Sequence, residues 1–333
     1  MSPRPAGIRR DVAFVATVAF AYFAAAVLGS KSAAVVHTVT TVWPGAGIAL
    51  AAVLLRGRTG LVGVALGALA FDLSDGMALV PALIVTAGRV AEAALAGWLW
   101  RRLRIRSTLP RMRDALKLAF VCSTLAPIPA ALIGPVVMML DGSIPRESLA
   151  MAIATWWMGD GLGIPLVTPF VLAWRRLSLP RGRDLLIRIA PVALFTAVCW
   201  SVFSGWLLKA TDDPVPAAYF VLPVAIWIAL TSGLRTVTLS LLLMVGFGVW
   251  SLWRSIGPFA GGDAFDSHLM LHLFLVVTVI TTLLVNVLAR ERQTNAERLH
   301  RTLDRLVAIN SLSTDWYWEQ DAAGRRPSSA AGR

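Results

Sequence analysis

Apolar runs of about 20 residues follow one another along this chain to about position 290, and no other feature constrains its fold as tightly. A helix needs roughly 20 such residues to cross the hydrocarbon core of a bilayer. Ten spans fit the runs, at about 11–29, 34–55, 59–73, 77–100, 115–140, 148–174, 185–209, 217–231, 233–254 and 267–290. The third and eighth are short enough to be re-entrant, which would leave eight. Length and hydropathy define these spans, since periodicity carries little information where every face is apolar. The expectation is an all-α integral membrane protein, a polytopic helical bundle whose main partner is the lipid bilayer. Only 15% of the residues are charged and 57% are hydrophobic. A soluble domain carries about 25% charged residues, so a soluble core is excluded.

The net charge of +12 raises the question of a nucleic-acid partner, and its distribution answers against one. The arginines gather in short segments between apolar runs, the orientation signal of membrane proteins. The connections "RGRTG", "RRLRIRSTLPRMRDALK", "RRLSLPRGRD" and "TSGLR" fall on one side of an even span count. "DGSIPRE", "TDDPVP" and "SIGPFAGGDAFDS" fall on the other and are acidic or mixed. Both termini are therefore expected in the cytoplasm. The N-terminal run lacks a small-x-small cleavage pattern and reads as a first anchor. Cys122 and Cys199 fall inside apolar runs with no metal spacing and read as packing residues.

Beyond Asn286 the character changes. "ARERQTNAERLHRTLDRLVAIN" is polar and helix-favouring, with Ala296, Leu299, Leu303, Leu306 and Asn310 spaced by threes and fours. Such spacing suits a coiled-coil seam about two heptads long, or an amphipathic helix lying on its own domain. The expected organisation is a transmembrane domain over 11–290, a cytoplasmic helix over 291–312, and a polar tail over 313–333.

"TVWPGAGIALAAVLLRGRTGLVGVALGALAFDL" and "WWMGDGLGIPLVTPFVLAW" together resemble the first type of bacterial membrane-associated sensor domain, of the MASE group. Trp43, Pro44, Gly47, Gly57, Gly63, Gly67, Glu92, Trp157, Gly159, Asp160, Gly163 and Pro169 match its pattern, while Asp72 stands where many relatives are expected to carry Asn. "STDWYWEQDAAGR" looks like the opening of a PAS domain that would be cut short by "RPSSAAGR". The resemblance implies a sensory input module that detects an unknown small ligand or membrane partner protein. Its state would pass to a PAS, histidine-kinase or diguanylate-cyclase output that these 333 residues do not contain.

A charge at mid-bilayer costs roughly 2.5–3.5 kcal/mol on insertion scales, so it faces the protein interior and finds partners. Arg89 and Glu92 are three apart and share a helix face. Arg89 and Asp160 each lie about 12 residues into spans that run the same way, roughly 18 Å down. An Arg89–Asp160 pair with Glu92 alongside is geometrically possible where the two helices touch, and the three are expected to interact within the bundle. The triad fits either a lock between helices or a ligand or proton site. Gly159, Gly161, Gly163, Pro165 and Pro169 suggest a locally unwound segment offering free backbone groups. Trp43–Gly47 suggests a second break, and Gly63–Gly67 an internal packing face. Trp43, Trp157, Gly159 and Gly163 complete the candidate site. His37 and His272 are isolated, no metal set is formed, and "GDGLGI" lacks the third glycine of a dinucleotide fingerprint, so no cofactor is expected. A secondary transporter is the alternative, since broken helices with a mid-depth acid suit one. An intramembrane enzyme ranks below both, for want of a nucleophile–base pair.

Overall fold

The computed structural model describes residues 5–30, 41–175, 182–206 and 215–312. Every regular element among them is helical. The chain divides into two compact units, Met1–Ala289 and Arg290–Arg333. The first is built from α1 (Pro5–Ser30), α2 (Pro44–Arg56), α3 (Arg58–Ser74), α4 (Leu79–Arg102), α5 (Met112–Leu116), α6 (Ser123–Leu125), α7 (Ile128–Leu140), α8 (Leu149–Trp174), α9 (Arg183–Phe203), α10 (Val215–Ala218), α11 (Val221–Thr231) and α12 (Leu234–Trp253). The first part of α13 (Ala264–Leu312) belongs to it as well. A π-helical turn, Lys117–Cys122, joins α5 to α6.

The protein is an all-α membrane-type fold. Five helical stretches are long and apolar enough to cross a bilayer: Ile8–Ser30, Leu79–Arg102, Met112–Leu140, Leu234–Trp253 and the one beginning at Phe265. Of the other expected spans, 59–73, 148–174 and 185–209 coincide with α3, α8 and α9 to within a few residues, and 34–55 and 217–231 need correction in length. The 13 residues of α2 rise about 20 Å, short of a hydrocarbon core of about 30 Å. With 11 residues α11 is shorter still. The 26-residue α8 has the length, but it carries Asp160 and two prolines.

The first half of the bundle is organised around α2, which is buried from Gly45 to Val53 except at Ile48. Pro44 occupies the first turn of α2, where its missing N–H costs nothing. The expected second break at Trp43–Gly47 is thus the start of a helix. Gly57, at φ 54°, makes the turn from α2 into α3 that a side chain would strain. Gly63 and Gly67 face Val18, Ala19 and Tyr22 of α1, so the small-residue face of α3 is spent inside the bundle.

α8 corrects another expectation. It is helical from Leu149 to Trp174 with Pro165 and Pro169 inside it, and Leu162–Pro169 is buried throughout. α2 lies against this stretch, in parallel. Trp43 N–H donates to the Gly159 carbonyl at 3.0 Å, and Thr168 Oγ1 donates to the Gly47 carbonyl at 3.0 Å. A side chain at Gly47 would collide with the Gly163 carbonyl, and one at Gly163 with the Trp43 carbonyl. Small residues therefore let two backbones touch, the usual route to close helix packing in lipid. The same contact confines α8 to a helical path despite its prolines.

The second half packs α9, α11, α12 and α13 around Phe195, Phe203, Leu241, Met244, Leu271 and Leu275. Asn286 Nδ2 donates to the Ala229 and Ser232 carbonyls, both at 2.9 Å. Residues 290–312 form the described part of the second unit, entirely within α13. Leu299, Leu303, Leu306 and Val307 are exposed there, and an exposed Glu297–Arg301 pair at 3.6 Å spans one turn. The side chain of Asn310, His37 and the PAS-like segment at 313–333 lie outside the described residues.

Candidate functional site

Arg89 of α4 points into the bundle and meets Asp72 of α3, Nη1 to Oδ1 at 2.7 Å, with both side chains almost wholly buried. Thr86 Oγ1, one turn earlier on α4, donates to Asp72 Oδ2 at 3.4 Å. Three aromatic rings surround the guanidinium. Its carbon lies 5.2 Å from the Trp43 ring centroid, 5.6 Å from Trp156 and 5.7 Å from Phe71. Each contact is of cation–π type, which is strongest where water is excluded.

The rings are themselves fixed. Trp43 and Phe71 meet edge to face with centroids 5.7 Å apart. Trp43 Nε1 donates to the Tyr22 hydroxyl at 3.5 Å, and Tyr22 is fully buried on α1. Trp156 lies against Gly134 of α7, where any side chain would displace its ring. Asp72 and Phe71 of α3, Trp156 of α8 and Trp43 at the start of α2 thus converge on one guanidinium, with Tyr22 of α1 and Gly134 of α7 behind the rings.

Beside this box lies a cavity of about 70 Å³. Trp43, Phe71, Asp72, Arg89, Trp156 and Asp160 form its wall, and Ser30, Asp75, Met77 and Met138 its rim. A water needs roughly 10–15 Å³ on this scale, so several waters or a small polar molecule fit. The rim residues sit at the end of α1, the α3–α4 turn and the end of α7. Arg56 and Arg58 lie at the opposite end of α2 and α3, where Arg56 Nη1 pairs with Asp11 at 2.6 Å. The site therefore lies at the end of the bundle away from the basic loops.

Asp160 is 5% exposed and lines this cavity. Among the described residues its carboxylate accepts no hydrogen bond and forms no ion pair. Arg89, Glu92 and Asp160 thus lie buried within electrostatic range of one another, as expected, but the acid that pairs with Arg89 is Asp72 rather than Asp160. Arg89 is held by Asp72, and Asp160 feels its charge only through space. Glu92 is buried, within electrostatic range of Asp160 and Arg89, and its Oε1 has no partner among the described residues. It lies next to the cavity wall without forming part of it.

Of the other expected site residues, Trp43 lines the cavity and Trp157 does not. Trp157 is 38% exposed, its Nε1 donates to the Thr124 carbonyl at 2.8 Å, and its ring borders a separate apolar groove between α8, the π-helical turn and α13. Adjacent positions on a helix face about 100° apart, so Trp156 takes the role expected of its neighbour. Gly159 and Gly163 act as scaffold, through the contacts with Trp43 already described. Asp72, Phe71, Trp156 and Tyr22 were not anticipated from sequence. An acid inside the apolar run of α3 was the available signal for Asp72; nothing in the sequence distinguished the rings from packing aromatics. His272 is buried and its Nδ1 donates to the Thr41 carbonyl at 2.8 Å, a contact that ties α13 to the segment preceding α2.

No curated protein and no solved structure matched the chain. The family model for MASE1, a family of membrane sensory input domains, matches residues 14–293. That match takes in every helix around the cavity and most of the chain, and the protein belongs to the MASE1 family.

Proposed function

We propose that this protein is a sensory input module of the bacterial inner membrane that detects its signal in the Arg89–Asp72–Asp160 cavity. The state of that cavity is relayed through α13 to an output domain of the PAS, histidine-kinase or diguanylate-cyclase type. The observation that carries the reading is Asp160: a buried carboxylate facing an open cavity with no partner of its own among the described residues. Burying an unpaired charge is costly, and in membrane segments such groups mark functional sites. The arginine asymmetry between loops supports a cytoplasmic position for both termini. With that orientation the cavity faces the extracytoplasmic side, and α13 leaves on the cytoplasmic side. The transporter alternative rests on a mid-depth acid with broken helices, and α8 is unbroken around Asp160.

The test is a chimera in which residues 1–312 precede a cyclase or kinase reporter in cells. Asp160→Asn is expected to change output at least fivefold at equal membrane accumulation. Asp141→Asn, on the exposed α7–α8 loop, is expected to leave output unchanged. Equal output from Asp160→Asn and the parent would remove the cavity from the signalling route.

A further inference from the structure

The charge balance of the cavity selects its ligand. Asp72 and Arg89 offset each other as an ion pair, which leaves Asp75 and Asp160 as the uncompensated carboxylates of the lining. Arg89 is already committed, ion-paired at 2.7 Å and enclosed by three rings. One of its N–H groups is spent on Asp72 and its faces on the rings, and an incoming anion would also meet the Asp160 carboxylate. The open demand is for donors: among the described residues nothing donates to the Asp160 oxygens. Trp43 and Trp156 line the same cavity and offer ring surface to an apolar substituent.

We infer that the cavity binds a small organic cation, an ammonium group donating hydrogen bonds to the Asp160 carboxylate with its carbon substituent against Trp43 and Trp156. The inference deepens the sensory reading by naming the chemical class of the signal, and it rests on that reading only for the consequence of binding. A bare divalent ion is a poorer match, because no group of three or more His, Cys, Asp or Glu side chains able to hold a metal occurs among the described residues. The cavity of about 70 Å³ limits the enclosed part to a few heavy atoms. A longer ligand would extend past Asp75, an exposed rim residue whose charge draws cations to the mouth.

The experiment uses the full chain in phosphatidylcholine nanodiscs, which carry no net headgroup charge. Ethylammonium chloride replaces sodium chloride at constant ionic strength while tryptophan fluorescence is read, with sodium propionate as the anionic control. A probe of three heavy atoms reaches the millimolar range at best by the usual ceiling on small ligands. A saturable change with a millimolar midpoint is expected for ethylammonium and none for propionate. Asp160→Asn is expected to raise the midpoint at least tenfold. Asp75→Asn, at an exposed position that does not threaten folding, is expected to raise it about two- to threefold, as an exposed charge would. Absence of saturation with ethylammonium, saturation with propionate, or unchanged midpoints in both variants would overturn the inference. If Asp160→Asn fails to unfold cooperatively, the Asp75→Asn midpoint and the propionate control decide. Failure here with a changed reporter output for Asp160→Asn removes the cation and keeps the sensory reading. Saturable amine binding with unchanged reporter output does the reverse.

Discussion

Arg89 Nη1 and Asp72 Oδ1, 17 positions apart in sequence, meet at 2.7 Å inside the bundle and tie α4 to α3. Removing one partner of a buried pair leaves an uncompensated charge, at a cost of about 3–5 kcal/mol. Asp72→Ala and Arg89→Ala should each lower the thermal unfolding midpoint substantially in detergent. The double substitution Asp72→Leu with Arg89→Met should be less damaging than either single one, because it removes both charges together. A double variant whose loss equals the sum of the two singles would show that the pair is not coupled.

The α2–α8 contact makes a separate prediction. Gly163 lies against the Trp43 carbonyl and Gly47 against the Gly163 carbonyl. Gly163→Val should force the helices apart and remove the 3.0 Å bonds Trp43–Gly159 and Thr168–Gly47. The variant should accumulate poorly and be cut readily by protease. Gly233→Ala, where an added methyl group meets nothing within 4 Å, should fold normally. Equal protease resistance for the two variants would contradict the packing described.

Topology can be read with compartment reporters. The stretch Met112–Leu140 is long and apolar enough to cross the bilayer once. Fusions after Leu103 and after Gly142 should therefore report opposite compartments, with Leu103 on the cytoplasmic side because its loop holds seven basic residues, Arg101 to Lys117. A common compartment for both fusions would mean that this stretch does not span.

The exposed apolar stripe of α13 is proposed to pair with a second copy. Leu299, Leu303 and Leu306 are about half exposed or more, at coiled-coil spacing. In a background with Cys122 and Cys199 replaced, Leu299→Cys and Leu303→Cys should crosslink in membranes, and Arg301→Cys should not. Uniform crosslinking around the helix would leave the cavity untouched and remove pairing as the means of transmission.

The helical membrane class was legible because twenty-residue apolar runs leave little alternative, and the helix beyond residue 290 because its polar sequence holds helix formers without a break. The site was half legible. Arg89, Glu92 and Asp160 stood out as charges in apolar runs, and the glycines of α8 as close-packing residues. Which acid pairs with Arg89 depends on how α3 lies against α4, and equal depth in the bilayer does not encode that. Depth alone favoured Asp160, whereas the turn at 75–78 between α3 and α4 brings Asp72 closer. Prolines 165 and 169 suggested unwinding because propensity omits the neighbour, α2, that holds α8 on course.

The central claim, that the cavity and α13 are energetically linked, is tested most directly by spin labels at Leu303 in nanodiscs, in the cysteine-replaced background. The inter-label distance distribution is measured for the parent and for Asp160→Asn, after thermal unfolding has shown both to be folded. The account predicts that the distribution shifts between discrete populations when Asp160 loses its charge, as packed helices move between alternative arrangements. Superimposable distributions from two folded proteins would contradict it.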